Sequence, residues 1–249
     1  MQRTLSSLFK RAITTMPIPP NWQNIFIYRE KRMSIKLYGA ALSPFVRKTR
    51  VALALKGIEF ESVHIDPNAP PEGYEKISPM KRIPALEVDG QFLADSAAIC
   101  AWMEKIHPEP ALYPSDAMEM GQVIWLERFI DYDLAMRCTF AVFRNRVLMP
   151  LLGKECDEEK VQHALSTTIP PLFVYLEKTL EGREFLVGDN MTVADIALAS
   201  QMVNFHHAGE QLDATTYPNL AAHIKRMHAL PPFVQTIEKE SGFIQKVLG

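Results

Sequence analysis

Apolar residues alternate or cluster over short distances between residues 34 and 114, and from about residue 118 onward they recur every three to four positions. The chain therefore reads as a mixed strand-and-helix part followed by a helical part. Ile35 and Leu37 flank Lys36 as in a short strand, and Ser43-Pro44 offers a helix cap followed by proline at the first helical position. Phe45, Val51, Ala52 and Leu55 then share one face of the predicted helix, Arg47, Lys48 and Arg50 fall largely off it, and Gly57 stops it. Ile58 to Ile65 reads as a second strand, parallel to the first because a helix intervenes. Pro70, Pro71, Gly73 and Pro79 keep the next stretch irregular. Leu86 and Val88 flank Glu87, and Asp89-Gly90 before Gln91-Phe92-Leu93 is a two-residue hairpin signal. Asp95-Ser96 caps a helix with Ile99, Trp102, Met103 and Ile106 on one face, ended by Pro108.

The remainder predicts helices only: about Met118 to Leu148, Glu158 to Leu180, Thr192 to Ala208 and Asn219 to Met227. Pro170-Pro171 must break the second of these, so Leu172, Leu176 and Leu180 belong to a fresh helical stretch. Thr192-Val193-Ala194-Asp195 reads as a capping box with aspartate in place of glutamate.

Composition places the 249 residues among ordinary globular chains, at 47% hydrophobic and 22% charged, with no apolar run long enough to span a membrane. The net charge of −2 gives no general attraction to nucleic acid. It is unevenly spread, because residues 1–33 carry six basic side chains against Glu30 alone, +5 in all, which leaves −7 for the rest. That segment reads as a basic N-terminal extension, either a disordered tail or misread start ahead of Met33 or a mitochondrial transit peptide. Cys100, Cys138 and Cys156 lack metal-type spacing and read as free thiols in a reducing compartment; the histidines likewise show no ligand spacing, so no metal is expected.

Four marks in order, Ile35-Lys36-Leu37-Tyr38 leading to Ser43-Pro44-Phe45-Val46-Arg47, then Arg82-Ile83-Pro84-Ala85-Leu86, Asp95-Ser96-Ala97-Ala98-Ile99 and Thr192-Val193-Ala194-Asp195, resemble the soluble glutathione S-transferase family, in its serine-type classes. The resemblance covers roughly Ser34 to Phe243. It implies a thioredoxin-like α/β domain over 34–114 that binds glutathione, an all-α domain over 118–249 that supplies the acceptor pocket, and a homodimer.

On this resemblance, glutathione is the co-substrate and Ser43 the catalytic residue, its hydroxyl donating to the thiolate at a helix N-terminus that favours negative charge. Taken alone, Ser43 reads as a plain helix cap, and only the four marks together favour the catalytic role. Pro84 stands where the family has a cis-proline that exposes the main chain of Ile83 to the cysteinyl part of the tripeptide; a trans proline at a strand entrance is the alternative. Asp95 and Ser96 stand where the family binds the γ-glutamyl end, and Arg82 where it has glutamine or lysine holding the tripeptide, or else a solvated surface arginine. Lys81 replaces a common glycine, and Lys76 is the nearest guess for the glycyl carboxylate.

Cysteine-type relatives would carry cysteine at Ser43, so thiol-disulfide exchange is disfavoured. Tyr38 is the runner-up thiolate donor. Trp125, Phe129, Met136 and Phe140 could line the acceptor pocket or belong to core or dimer interface. The expected function is conjugation of glutathione to a small electrophile, with peroxidase, isomerase or dehalogenase activity open; the competing class is a non-enzymatic ligand-binding or scaffold protein. No nucleic-acid or membrane partner is expected, and the location is cytoplasmic unless residues 1–32 are a transit peptide.

Overall fold

The computed structural model describes residues 33–248, and the expectations about residues 1–32 lie outside the described residues. Strand β1 (Ile35–Gly39) leads into helix α1 (Pro44–Leu55), followed by β2 (Glu61–His64), β3 (Ala85–Val88), β4 (Gln91–Ala94) and α2 (Ser96–Ile106). The four strands lie in the order β2-β1-β3-β4, with β1 parallel to β2 and antiparallel to β3. The second strand is shorter than the pattern predicts, since Ile58 to Phe60 approach it without pairing. Asp89 and Gly90 take φ of 48° and 82°, as a two-residue turn matching strand twist requires. Gly39 ends β1 where α1 packs closest, and a Cβ there would overlap Val46.

The helical part starts with α3 (Ala117–Arg128), whose rod continues through wider π-helical turns at Phe129–Leu134 and Met136–Leu148 to Leu151. Next come α4 (Glu158–His163), α5 (Pro170–Thr179), α6 (Val193–His207), α7 (Pro218–His228) and α8 (Pro231–Leu248). Pro170-Pro171 open α5, as their missing N–H groups demand. Helix α8 lies beyond the segments the pattern predicts as helical, and Pro231-Pro232 occupy its first turn.

Helix α6 is buried from Val193 to Phe205 and is the axis of the molecule, with α1, α3 and α7 packed around it. Its apolar residues join those of the sheet, such as Leu37 and Leu86, in one continuous core. Asp195 starts it: one carboxylate oxygen takes the Thr192 N–H at 2.8 Å and the Thr192 hydroxyl at 2.9 Å, and the other takes the Leu186 N–H at 2.9 Å. Two buried main-chain donors are thus satisfied by one side chain.

The largest departure from the sequence reading concerns α1. Arg47 and Lys48, expected off the buried face, are fully buried. Arg47 is held by Glu240 of α8 and the Ser200 carbonyl, and Lys48 by Glu127 and Asp131 of the long rod. Burial alone would depress the Lys48 ammonium, but its two carboxylates reverse that and hold its pKa above the ordinary value.

Candidate active site

Ser43 caps α1 in an extended conformation (φ −77°, ψ 123°), and its Oγ accepts the Val46 N–H at 3.4 Å. A hydroxyl that accepts this bond still has its own proton to donate. The helix start also leaves main-chain amides pointing outward, so a negative group placed beside Ser43 meets both a donor and the positive end of the helix dipole.

Ser43 opens onto a cavity of about 1360 Å³ that Arg82, Ile83, Pro84, Asp95 and Ser96 also line. The Ile83–Pro84 peptide is cis. Arg82 and Asp95 are exposed, whereas Ser96 is buried at the first turn of α2. Asp95 caps α2 by accepting the Ala97 N–H at 2.8 Å, and it does so with φ at 83°, uncommon for a residue with a Cβ. Asp95 N–H lies 3.4 Å from the Pro84 carbonyl, which joins the proline corner to the start of α2.

The loop before Pro84 is anchored from below. Tyr74 is buried and its hydroxyl donates to the Arg82 carbonyl at 3.1 Å, while the Arg82 N–H donates to Ser78 Oγ at 3.1 Å. Both polar groups of the Arg82 backbone are therefore fixed by the protein. Lys81, where a glycine was noted as common, adopts φ of 53°, a conformation glycine reaches more readily.

Two of the alternatives lie off the cavity lining. Tyr38 does not reach the cavity; its hydroxyl donates to Glu87 at 2.5 Å, and burial together with that carboxylate pushes its pKa up to about 12. A phenol so engaged is no thiolate donor. Lys76 is also off the cavity wall, whereas His64, at the end of edge strand β2, is on it. Of the four aromatic or sulfur side chains considered for the acceptor pocket, Met136 and Phe140 line the cavity; Trp125 and Phe129 instead cluster with Tyr175 outside it.

Sequence reasoning missed two further parts of the wall. Near Ser96, Glu127 and Asp131 add carboxylates to Asp95, a setting suited to an ammonium, with Lys48 balancing the charge from beneath. Burial raises the Asp131 pKa, against the pull of Lys48. Their signal, two acids four residues apart on a helix, is too common to single out. Beyond Ser43 the lining is mostly apolar, with Phe45, Phe143, Leu148, Leu151 and Phe243 joining Met136 and Phe140, and Arg128, Tyr132, Thr139 and Asn204 are its polar members. Among the described residues no group of three or more His, Cys, Asp or Glu is arranged to hold a metal ion, and no helix is long and apolar enough to cross a membrane.

Residues 37–111 match the family model for the glutathione S-transferase N-terminal domain and residues 143–240 that for its C-terminal domain. A glutathione S-transferase of Triticum aestivum is 33% identical over 191 residues, 74% of this chain and 84% of the relative. A maleylacetoacetate isomerase of Dictyostelium discoideum is 30% identical over 198 residues, 76% of this chain and 87% of the relative. Among solved structures, a glutathione S-transferase from Rhodospirillum rubrum superposes with a TM-score of 0.74 at 27% identity, covering 80% of this chain and 90% of that one. Two matched domains in sequence order and relatives that are enzymes agree: the chain belongs to the glutathione S-transferase family, whose co-substrate is glutathione.

Proposed function

We propose that the protein conjugates glutathione to a small, uncharged, apolar electrophile. The tripeptide lies along the Ile83 main chain with its γ-glutamyl carboxylate on Ser96 and the amides of α2, its ammonium facing Asp95 and Asp131, and its glycyl end toward Arg82 and His64. Its sulfur sits at the start of α1. A cysteine-type thiol has a pKa near ~8.5, and each unit of depression corresponds to ~1.4 kcal/mol in favour of the thiolate. The Ser43 hydroxyl and the α1 N-terminus supply that preference; the thiol proton goes to solvent. The thiolate then attacks the electrophilic carbon, the carbon–sulfur bond forms, and the leaving group departs with its electron pair.

The observation that carries this reading is the apolar wall next to Ser43, built from Phe45, Met136, Phe140, Leu151 and Phe243, which suits a neutral aryl or alkyl group. The same thiolate can attack an oxygen of an apolar hydroperoxide, breaking the O–O bond to release the alcohol and leaving a glutathione sulfenic acid, which a second glutathione converts to the disulfide and water. Isomerisation is the second reading, favoured by the names of several relatives; a dicarboxylate such as maleylacetoacetate would draw on the cations of the lining, Arg128 and Arg82, rather than on the apolar residues next to Ser43. A poised hydroxyl distinguishes both from a non-enzymatic binder. A reducing compartment such as the cytoplasm fits three unpaired cysteines and reduced glutathione, and a homodimer is part of the same reading.

Glutathione-dependent turnover on a panel of aryl halides, isothiocyanates, hydroperoxides and maleylacetoacetate tests it. Conjugation of the neutral compounds is the expected result. Isomerisation of the dicarboxylate with no conjugation would overturn it.

A further inference from the structure

The loop between β1 and α1 has to present Ser43 while its own main-chain groups leave the sheet. Ser43 N–H is satisfied locally, by the Ala40 carbonyl at 3.3 Å. The carbonyl of Leu42, the residue before it, is served from the other end of the chain: Asn204 Nδ2, in the last turn of α6, donates to it at 3.3 Å. Asn204 is fully buried, and its amide nitrogen also donates to Thr139 Oγ1 at 3.4 Å, while the Thr139 hydroxyl donates to Gln201 Oε1 at 2.6 Å.

These partners fix the amide's orientation. The Leu42 carbonyl can only accept, and the Thr139 proton is committed to Gln201, so both neighbours require the NH2 side of Asn204. Its Oδ1 is left buried with no partner. A buried orphan acceptor is unfavourable, and an apolar side chain of similar size would avoid it. Packing therefore does not account for an asparagine here; its donors do. One turn earlier on the same helix, the Ser200 carbonyl accepts from Arg47 Nη1 at 2.6 Å, so α6 holds both the loop and the helix on either side of Ser43.

We propose that Asn204 is a positioning residue for Ser43: its amide fixes the Leu42 carbonyl and, through the Leu42–Ser43 peptide, aims the Ser43 hydroxyl at the glutathione sulfur. The proposal rests on the reading of Ser43 as the thiolate donor. It assigns the helical part of the molecule a share in activating the thiol, in addition to walling the acceptor. Asn204 borders the cavity beside Ser43, but its amide donors are spent on the Leu42 carbonyl and Thr139, so it acts through the loop it holds.

The test uses the full chain with Asn204→Leu, which keeps roughly the volume and removes the donors, and Asn204→Ala in case the first does not fold. The readouts are the ultraviolet absorbance of bound glutathione thiolate against pH, the pH profile of kcat/KM, and KM for each substrate. The expected result is a bound-thiol pKa about one unit higher and kcat/KM about tenfold lower at pH 6.5, with the deficit closing above pH 9 and KM for glutathione within twofold of the parent. A lower melting temperature with an unchanged thiol pKa would make the role structural only and overturn the proposal. So would a change confined to KM for the electrophile, which would put Asn204 in the acceptor pocket. If the parent protein itself shows no thiolate, the reading of Ser43 fails and takes this one with it; a normal thiolate in parent and variant alike overturns this one alone.

Discussion

Arg47 and Glu240, 193 residues apart, meet in the interior as a two-pronged pair, Arg47 Nε on Oε1 at 3.1 Å and Nη2 on Oε2. His207 Nε2 lies 3.1 Å from the same Oε2. Burial would raise the Glu240 pKa, but Arg47 and His207 outweigh it and hold it low. The pair joins α1, which begins at Ser43, to α8, which carries Phe243 on the acceptor wall.

Removing one partner leaves the other charge buried and unpaired. Glu240→Ala is therefore expected to cost about 3–5 kcal/mol in denaturant unfolding. Replacing both residues by leucine should cost clearly less than the sum of the single changes. Additive losses would show that the two side chains do not act as a pair.

This pair also marks where the sequence stops being legible. The Ser43-Pro44 cap, the Asp89-Gly90 hairpin and the Asp195 box are set by chemistry within a few residues, and each stands where the pattern predicts it. The burial of Arg47 and Lys48 depends on acids 193, 79 and 83 positions away, which no local pattern reports. The same holds for the cavity. Its glutathione-facing residues come from short motifs, while Asp131, His64, Asn204 and Phe243 converge only through the packing of separate elements.

Tyr74 offers an isosteric probe of the site. Tyr74→Phe removes only the hydroxyl that holds the Arg82 carbonyl, next to the Ile83 main chain proposed to bind glutathione. The KM for glutathione should rise several-fold, with kcat at saturation within twofold and about 1 kcal/mol of stability lost. An unchanged KM would mean that the loop holds its shape without that bond.

His228 makes stability fall in acid. Burial, offset in part by its hydrogen bond to the Ala199 carbonyl, brings its pKa down to about 4 from the ordinary 6.5. Between those values the unfolded chain takes up a proton that the folded one does not. This contribution is therefore whole above pH 6.5, shrinks as pH falls, and is gone near pH 4, for at most about 3 kcal/mol. Melts of His228→Gln should show a shallower decline across that window than the parent; equal slopes would remove His228 as a cause.

The central claim is that the Ser43 hydroxyl stabilises the glutathione thiolate, and titrating that thiolate directly on the parent and on Ser43→Ala tests it. In the parent, the ultraviolet signal of bound thiolate should appear well below pH 8.5, the ordinary range of such a thiol being about that value. In Ser43→Ala it should move up by at least one unit, with glutathione still bound and turnover at pH 7 reduced tenfold or more, while the fold survives a capping loss of about 1 kcal/mol. A titration in Ser43→Ala that superposes on the parent's would contradict the account and leave the α1 N-terminus alone responsible for the thiolate.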